Sequence, residues 1–530
     1  MKESMKIRSD SRFLCTIIAI VFTLVSLQAY AGYMPKGWQA HPPYRIKPNT
    51  NGLLPSGLSP ASVIKAYGFP ANLQGLGQTV AIIDAMDNPN IEADLGVFSS
   101  MYGLPSCTTA NGCFKKIYAS GTPTGDPGWG VEIALDVEWV HAIAPLAKIL
   151  LVEASDASNG LFSAINVAIE NNATVISCSW GGAEYDGEQS FDSIFQNSPV
   201  PVVVSSGDNG HGVSYPASSP YVLSVGGTTL MLNSDGSYAN EAGWSGSGGG
   251  LSAYETEPSY QASFPIPQDG GAMRGVPDVS YNADQASGVT VYDSYGQQGW
   301  MVVGGTSAGA PQWAALLAIA NSAAGRNLTT ANQTLYNAAT SSYSTLYHAI
   351  TSGTNGSCGY YCQTRTGYNY VTGLGSPQAL ALISFLTAGT QLIQLTNNLY
   401  NSEASTAGVT PSSALVQLYT GSSVLCDSRT VAYQSTLTIQ PGMTGSVTGH
   451  TTCTSNQKIT SVSATPIIAN TAVGAIFTAS PVSFTVTNST GISLLSLKMK
   501  PANGSDYAPV FDATNGVIVT SGTPTLVSIP

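Results

Sequence analysis

Ser307 has the sequence setting that most clearly favours nucleophilic chemistry. It lies in GGTSAGAP, residues Gly304–Pro311, between the apolar stretch Trp300–Val303 and the helical pattern of Gln312–Asn321. A serine among small residues between a strand and a helix is sterically open, and the helix directs its N–H groups and positive dipole end towards it. This setting predicts a nucleophile. An ordinary tight turn is the alternative, because such turns are common in a chain with 56 glycines.

Two carboxyl groups four residues apart form a second candidate group. Glu132 and Asp136 lie in VEIALDVEWVHAIAP, residues 131–145, and share one face if this stretch is helical. Like charges at this spacing destabilise an isolated helix by about 0.2–0.5 kcal/mol, and no Lys or Arg lies between them to compensate. A solvated acidic face would normally carry Lys and Arg as well. The pair therefore favours acid–base chemistry over a solvated surface.

Asp208 is the third candidate, in VVVSSGDNG, residues 202–210. It comes just after an apolar strand-like stretch. In a parallel α/β sheet, functional side chains gather at the edge where such strands end. The simpler interpretation is a turn aspartate beside glycine.

The elements that must position these residues alternate between strand and helix patterns. Helical candidates lie at Gly130–Ile143, Leu161–Asn171 and Gln189–Gln196. Short apolar runs rich in β-branched residues favour central parallel strands at Thr79–Asp84, Lys148–Val152, Ala173–Ser177 and Val200–Ser206. The alternation predicts an α/β fold with a doubly wound parallel sheet and a site outside the carboxyl ends of its strands.

Composition divides the 530-residue chain into four segments. Residues 1–31 combine a basic start, an apolar run and small residues at the end, which predicts a cleaved secretory signal, with an uncleaved membrane anchor as the alternative. Residues 32–60 are rich in Pro, Gly and Asn and predict an extended arm. Residues 61–390 contain the α/β pattern, and residues 391–530, dense in Thr, Ser and Val, predict a β-rich unit.

Charge and hydropathy exclude several partners. The net charge is -12 and only 9% of residues are charged, so no basic patch exists for nucleic acid. Few carboxylates need to protonate in acid, which favours acid tolerance. After the signal, no stretch reaches the ~20 apolar residues of a membrane span. We expect a monomer that is secreted, with the periplasm as an alternative location.

The eight cysteines fit an exported protein. Cys15 lies in the predicted signal, and Cys178 lies in an apolar run. The remaining six suggest three local disulfides, although sequence alone does not fix the pairing: Cys107–Cys113, Cys358–Cys362 and Cys426–Cys453.

Together these stretches resemble the sedolisins, the serine-carboxyl peptidases, in order and spacing. The resemblance covers roughly residues 80–376 and rests on TVAIID, the Glu-x-x-x-Asp of VEIALDVE with AIAPLAKILLVEA behind it, VISCSWGG, VVVSSGDNG, YPASSPYVLSVGGT, RGVPDVS, VVGGTSAGAPQWAALLA and TGLGS. Sedolisins are similar to subtilisins in fold but use a glutamate where subtilisins use a catalytic histidine. The resemblance implies a secreted peptidase that acts on proteins or peptides.

By position, the resemblance implies a role for each candidate. Ser307 is the nucleophile, Glu132 the general base and Asp136 its partner. Asp208 occupies the place of the oxyanion asparagine of subtilisins. The family extends its hydrogen-bond network at the positions of Asp84 and Trp180.

The implied chemistry suits acidic solution. A carboxylate with a reference pKa near 4.3 is a usable base in acid, where imidazole is already protonated. A neighbouring carboxyl lets the pair share one proton. Asp208 must be protonated to donate a hydrogen bond to an oxyanion. We therefore expect activity with an optimum at roughly pH 3–5 and no cofactor in the chemistry.

Two features depart from the family's pattern. Members usually have a large N-terminal propeptide, whereas only residues 32–83 lie between the predicted signal and Asp84. The family's calcium loop has aspartates where this chain has Ala349 and Asn369. Carbonyl oxygens alone make a poor calcium cage, so we expect no tight calcium site.

Three other functions remain as alternatives. Residues 305–309 also satisfy G-x-S-x-G, the nucleophile motif of α/β-hydrolase esterases, which would need a downstream histidine such as His348 or His450. A histidine-dependent subtilisin would need an upstream histidine, but neither His41 nor His141 begins a suitable helix. The third alternative is an inactive exported binding protein on a peptidase scaffold.

Overall fold

The computed structural model describes residues 34–47, 54–266, 273–297, 299–329 and 331–387, followed by the backbone of separate strands between Thr390 and Ile518. The predicted signal lies outside the described residues. In the part that is described, no helix is long and apolar enough to cross a membrane.

A largely parallel sheet forms the centre of the α/β unit. The strands are β2 (Thr79–Ala85), β3 (Phe114–Tyr118), β4 (Lys148–Ala154), β5 (Val175–Cys178), β7 (Val202–Ser205), β9 (Leu223–Leu232), β10 (Tyr238–Gly243) and β13 (Val279–Asn282). The path of neighbouring strands runs β10-β9-β7-β5-β2-β4-β3, and β13 pairs with β9 in parallel. Only β10 is antiparallel to its neighbour. The four predicted strands are therefore confirmed as central parallel strands.

Nine α-helices are described. They are α1 (Pro60–Tyr67), α2 (Ile91–Tyr102), α3 (Pro127–Ile143), α4 (Asn159–Glu170), α5 (Asp192–Gln196), α6 (Ser259–Ala262), α7 (Thr306–Ala324), α8 (Ala331–Leu346) and α9 (Ala379–Leu386). The predicted third helix is a 3-10 turn, Glu188–Phe191, that continues into α5. Helix α3 begins three residues earlier than predicted because Asp126 caps it and Pro127 suits its first turn.

Helices cover both faces of the sheet. Alternate side chains of β2 enter two separate cores, Val80 and Ile82 on one face and Ala81 and Ile83 on the other. Helices α3 and α7 pack against each other within the first core, and α4 lies in the second. This two-sided cover confirms the predicted doubly wound α/β fold and explains the apolar strands.

A smaller antiparallel sheet delivers the chain to α7. It contains β1 (Arg45–Lys47), β14 (Val289–Asp293) and β15 (Gly299–Gly304), with β15 in the middle. The apolar run before Ser307 is thus a strand, as predicted, but it belongs to this sheet and not to the central one. The N-terminal arm supplies the edge strand β1.

Six short strands complete the α/β unit: β6 (Gly182–Ala183), β8 (Ser214–Tyr215), β11 (Gly250–Thr256), β12 (Met273–Val276), β16 (Tyr347–His348) and β17 (Ser376–Pro377). The C-terminal segment contains only strands, described as backbone: β18 (Thr390–Asn401), β19 (Pro411–Thr420), β20 (Val424–Ala432), β21 (Thr444–Thr454), β22 (Ile459–Ile468), β23 (Ile476–Thr478), β24 (Val482–Thr487), β25 (Ser493–Met499), β26 (Val510–Asp512) and β27 (Gly516–Ile518). They form sheets of five, three and two strands.

Two of the three predicted disulfides are present, Cys107–Cys113 and Cys358–Cys362. Cys178 is buried and has a free thiol. The third pair, Cys426 and Cys453, lies outside the residues whose side chains are described.

A buried ion pair, Arg274 with Asp278, connects three elements of the α/β unit. The guanidinium of Arg274 binds both carboxylate oxygens of Asp278 at 2.8 and 2.7 Å, and both side chains are fully buried. Asp278 also accepts hydrogen bonds from the backbone N–H of Ser224 and the hydroxyl of Tyr336. The pair therefore links β9, β12 and α8.

Removing one partner of this pair should cost much stability. In Arg274→Met, Asp278 keeps a buried charge without its cation, and we predict a loss of roughly 3–5 kcal/mol in the free energy of unfolding. Lys65→Met is the matched control, because Lys65 meets Asp235 at 3.7 Å on the surface and such pairs contribute about 0–1 kcal/mol. Urea unfolding measures both values. Equal losses would show that Arg274 has no such role.

Candidate active site

Ser307 lies in the first turn of α7. Strand β15 ends at Gly304, and Gly305 turns the chain with a φ of 111°, a value that side-chain-bearing residues rarely adopt. The helix begins at Thr306, earlier than the predicted helical pattern, and contains Pro311. Because Pro311 has no N–H, the carbonyl of Ser307 lacks its usual helical partner, and the hydroxyl of Ser179 approaches it at 3.5 Å.

Helix α3 brings Glu132 to this serine. The side chain of Asp126 accepts hydrogen bonds from the N–H groups of Gly128 and Trp129 and so fixes the start of the helix. Glu132 and Asp136 then follow on one buried face. The hydroxyl of Ser307 lies near enough to lower the pKa of Glu132, but among the described residues neither group has a formed hydrogen bond. Catalytic hydrogen bonds are often incomplete until substrate binds.

A third carboxyl adjoins this pair. Asp84, at the end of β2, lies near enough to raise the pKa of Glu132 by repulsion. No ion pair joins Glu132, Asp136 or Asp84 to a described Lys or Arg. Burial, and then the neighbouring carboxyls, raise the pKa of Glu132 and of Asp84 well above their ordinary values. The three groups must therefore share protons.

Ser179 orients Asp136 and was not found by sequence reasoning. Its hydroxyl donates to Oδ1 of Asp136 at 2.9 Å. Burial raises the pKa of Asp136 to about 8, although the hydrogen bond from Ser179 and the nearby Glu132 carboxyl oppose the rise. A serine in VISCSWGG has no distinguishing signal, because its partner is 43 residues away.

The indole of Trp180 forms no hydrogen bond with the carboxyl of Asp84. Its indole N–H donates to the backbone carbonyl of Ile83 at 2.9 Å. Neither carboxylate oxygen of Asp84 has a hydrogen-bond partner among the described residues. The network therefore reaches Asp84 through electrostatic contact with Asp136 and does not pass through the indole.

Asp208 follows β7 and faces the start of α7. Its Oδ1 accepts hydrogen bonds from the N–H of Thr306 at 2.8 Å and from the Thr306 hydroxyl at 3.0 Å. Its Oδ2 has no partner in the described part of the chain. Burial raises the pKa of Asp208 to about 7, against the effects of Thr306 and Arg45. The raised pKa favours the protonated form of Asp208 in acid, which is the form that can donate a hydrogen bond.

The N-terminal arm crosses this group of side chains. The N–H of Ser307 donates to the carbonyl oxygen of Pro43 at 3.2 Å. On one side of this contact, His41 pairs with Gly181, and on the other side β1 pairs with β15. The arm therefore lies extended across the cleft.

The described histidines do not form a catalytic pair with Ser307. His348 stacks on Tyr238 at 3.7 Å between ring centroids. His41 and His211 line a cavity of about 480 Å³ beside the cleft, but neither is hydrogen-bonded to the serine hydroxyl. The side chain of His450 lies outside the description.

Comparison with known proteins identifies the family. A family model described as the subtilase family matches residues 120–360, which contain Glu132, Asp136, Asp208 and Ser307. Kumamolisin from Bacillus sp. (strain MN-32) is 32% identical over 385 residues, which cover 66% of this chain and 68% of kumamolisin. The chain belongs to the sedolisin family. It is a serine-type peptidase by membership, and the α/β-hydrolase alternative is wrong.

Two further comparisons support the same family and fold. Sedolisin from Pseudomonas sp. (strain 101) is 32% identical over 373 residues, which cover 62% of this chain and 61% of sedolisin. The solved structure of Pseudomonas sedolisin, a serine-carboxyl proteinase in complex with two molecules of pseudo-iodotyrostatin, superposes with a TM-score of 0.56 at 32% identity. This superposition covers 63% of this chain and 99% of that structure, which confirms the predicted subtilisin-like fold.

The residues at the family's calcium loop do not fit a calcium ion. Ala349 is exposed and has no ligand atom in its side chain. The amide oxygen of Asn369 accepts hydrogen bonds from the N–H groups of Val371 and Thr372, so it closes its own turn. Both clusters of metal-ligating residue types in the described part contain cysteines that are already in disulfides.

Chelation should consequently leave the melting temperature almost unchanged. Ala349 and Asn369 supply no carboxylate to couple calcium binding to folding, and a ligand that does not bind the native state cannot stabilise it. Melting curves with excess chelator and with added calcium, at fixed pH, measure this. A large fall on chelation would mean that backbone and neighbouring oxygens rebuild a site.

Proposed function

We propose that this sedolisin-family peptidase is a secreted, acid-acting serine-carboxyl endopeptidase. Ser307 is the nucleophile, Glu132 the general base, Asp136 its partner and Asp208 an oxyanion donor. The observation that carries the proposal is the closeness of the Ser307 hydroxyl to the Glu132 carboxyl at the start of α7, with the unpaired Oδ2 of Asp208 2.8 Å from the position of a Cβ on Gly305.

The first half of the reaction forms an acyl-enzyme. The Ser307 hydroxyl oxygen attacks the peptide carbonyl carbon while Glu132 takes the hydroxyl proton. The tetrahedral intermediate collapses, the carbon–nitrogen bond breaks, and Glu132 returns the proton to the leaving amine. Water then attacks the ester by the same route. Asp136 shares the proton of Glu132 and is itself oriented by Ser179.

The negative charge on the intermediate needs two donors. The N–H of Ser307 is one, and Oδ2 of protonated Asp208 is the other. The position of a Cβ on Gly305 would be 2.8 Å from Oδ2 of Asp208 and closer still to the carbonyl oxygen that Ser307 binds. Both donors thus serve one small space, which a side chain at Gly305 would fill.

The two acidic groups define the pH range. Asp208 must keep its proton, so activity falls as pH rises through its pKa, which burial raises to about 7 in the closed cleft and which water entering the cleft lowers. Glu132 must lose its proton, and burial is the largest cause of its raised pKa. Water that enters an open cleft solvates the Glu132 carboxylate, so the pKa of Glu132 falls towards its ordinary value. The optimum therefore lies in acid.

The course of the arm supports internal cleavage. Residues from Trp38 onwards lie in or beside the cleft ahead of Pro43, and β1 continues beyond it. The cleft thus admits more than three residues before the reacting position. An enzyme restricted to tripeptides would need a block there. Sequencing the products of a denatured protein digest at several pH values tests this.

Export and assembly belong to the same proposal. The basic, apolar and small-residue pattern of residues 1–31 supports secretion, outside the cell or into the periplasm. We propose a monomer that uses protein or peptide substrates and no cofactor. Ala349 and Asn369 support independence from calcium.

Substitutions of Asp208 test the oxyanion donor. Asp208→Ala removes the donor and should lower kcat by about 10²- to 10³-fold with KM little changed. Asp208→Asn keeps a donor of similar shape without the titration, so it should retain more activity and lose less of it above pH 6. Asp186→Asn, at an exposed aspartate, is the matched control. Full activity in Asp208→Ala would make Asp208 an ordinary turn residue.

A further inference from the structure

Asp208 lies in a short loop that follows β7. The Asp208 loop comprises residues 206–212, and its glycines Gly207, Gly210 and Gly212 all have positive φ. Glycines leave a loop with wide conformational freedom unless other segments hold it in place. Because Asp208 is the proposed oxyanion donor, the direction of its carboxyl depends on what fixes this loop.

A glycine-rich segment, residues 245–250, binds the Asp208 loop through its backbone. The N–H of Gly210 donates to the carbonyl oxygen of Gly246 at 2.9 Å, and the N–H of Gly248 donates to the carbonyl oxygen of Gly207 at 2.7 Å. The segment has the sequence SGSGGG, so it has few side chains with which to pack. It therefore needs support from elsewhere in the chain.

Asn355 binds both of these segments. Its carbonyl oxygen accepts a hydrogen bond from the N–H of His211 at 2.8 Å, and its side-chain amide donates to the carbonyl oxygen of Ser247 at 2.8 Å. Asn355 is 4% exposed. A Cβ on Gly210 would lie 2.6 Å from the carbonyl oxygen of Asn355, so the two backbones are in direct contact. One buried asparagine thus joins the Asp208 loop to the glycine-rich segment.

A disulfide closes the chain that carries Asn355. We call residues 353–364 the disulfide loop. The N–H of Asn355 donates to the carbonyl oxygen of Cys362 at 3.1 Å, and Cys362 is cross-linked to Cys358. A cross-link restricts the conformations that the linked segment can adopt. The disulfide therefore helps to fix the position from which Asn355 makes its two contacts.

The disulfide also packs close to the Asp208 loop. A Cβ on Gly356 would lie 2.9 Å from Sγ of Cys362 and 3.2 Å from Cβ of His211, so Gly356 fits between them without space for a side chain. Cys362 is fully buried, whereas Cys358 is exposed. The cross-link thus lies near the chain that follows Asp208.

The base of the disulfide loop is attached to the central sheet. Gly353 pairs with Gly243 at the end of β10, and the N–H of Gly243 donates to the carbonyl oxygen of Ser352 at 2.7 Å. At the other end, the guanidinium of Arg365 stacks 3.6 Å from the ring centroid of Tyr360 and donates to its carbonyl oxygen at 2.9 Å. The disulfide loop therefore connects the sheet to the Asp208 loop.

We propose that the disulfide loop positions the oxyanion donor: the Cys358–Cys362 disulfide holds Asn355, and Asn355 holds the chain that follows Asp208. The proposal rests on the proposed peptidase function, in which Asp208 donates to the oxyanion. A misplacement of about 1 Å can cost about 100-fold in turnover, because a donor must lie about 2.7–3.1 Å from the oxyanion. Loosening the disulfide loop should therefore lower kcat and leave KM nearly unchanged.

The first variant removes the disulfide. Cys358→Ser with Cys362→Ser opens the disulfide loop. The matched control is Cys107→Ser with Cys113→Ser, because that disulfide precedes the start of β3, at the opposite end of the parallel strands from the site. Each protein is assayed as the purified full chain with an internally quenched peptide at acid pH.

The second variant leaves the disulfide in place. Asn355→Ala removes the amide that binds Ser247, and Asn337→Ala, at an exposed asparagine of α8, is its control. We expect kcat to fall about tenfold or more in the disulfide variant and about threefold or more in Asn355→Ala, with KM changed by less than about twofold. Both controls should keep kcat within about twofold of the unmodified protein.

A double-mutant cycle with Asp208→Ala separates positioning from a general loss of structure. If the disulfide loop acts through Asp208, removing the disulfide from Asp208→Ala should lower kcat by less than about twofold, because the donor is already absent. A purely structural effect would lower kcat by the same factor in both backgrounds. Equal factors would overturn the proposal, as would an unchanged kcat in both the disulfide variant and Asn355→Ala.

Hydrogen exchange gives a second readout that needs no activity. The N–H groups of Gly210 and His211 should exchange faster in both variants, because the segments that carry their acceptors are less firmly held. Unchanged exchange and kcat would overturn positioning by the disulfide loop while the peptidase function stands. Faster exchange in proteins that hydrolyse no peptide would overturn the peptidase function and retain the support of the Asp208 loop. If the disulfide variant unfolds, which exchange of β7 shows, Asn355→Ala decides.

Discussion

The structure depends on a group of carboxyls between α3, β2 and α7 that are buried with no ion pair to a described Lys or Arg. Removing an ionised carboxylate from water is costly, so Glu132, Asp136 and Asp84 can remain together only by sharing protons, and the one hydrogen bond they accept in the described part is that from Ser179 to Asp136. That condition is met most easily in acid. The same burial raises the pKa of Glu132, which increases the proton affinity of the group that we propose as the general base.

The surrounding elements are arranged to maintain this burial. Helices α3 and α7 are enclosed along most of their lengths, and α7 is rich in alanine, which allows close packing. The arm completes the enclosure from outside. Burial raises the pKa of Glu132 and of Asp84 well above their ordinary values, so the enclosure favours the protonated forms of these carboxyls.

Sequence predicted the framework because its signals are local. Apolar β-branched runs predicted the central strands, and the spacing of Glu132 and Asp136 predicted their shared helical face. Other features depend on contacts distant in the chain. Ser179 reaches Asp136 across 43 residues, Thr306 reaches Asp208 across 98, and the arm meets Ser307 more than 250 residues away. The helical pattern predicted from Gln312 omits the first turns of α7, where Pro311 leaves the carbonyl of Ser307 without its helical partner and Ser179 approaches it.

Trapping of the acyl-enzyme tests whether Ser307 is the nucleophile and Glu132 its base. The purified protein is incubated at acid pH with a peptide ester, quenched, digested and analysed by mass spectrometry, alongside Glu132→Gln. We predict an acyl adduct on the peptide that contains Ser307, and at least tenfold less of it in Glu132→Gln, which keeps the shape of the base without its proton affinity. Hydrolysis of the ester with no adduct on Ser307, or equal acylation in Glu132→Gln, would contradict these roles.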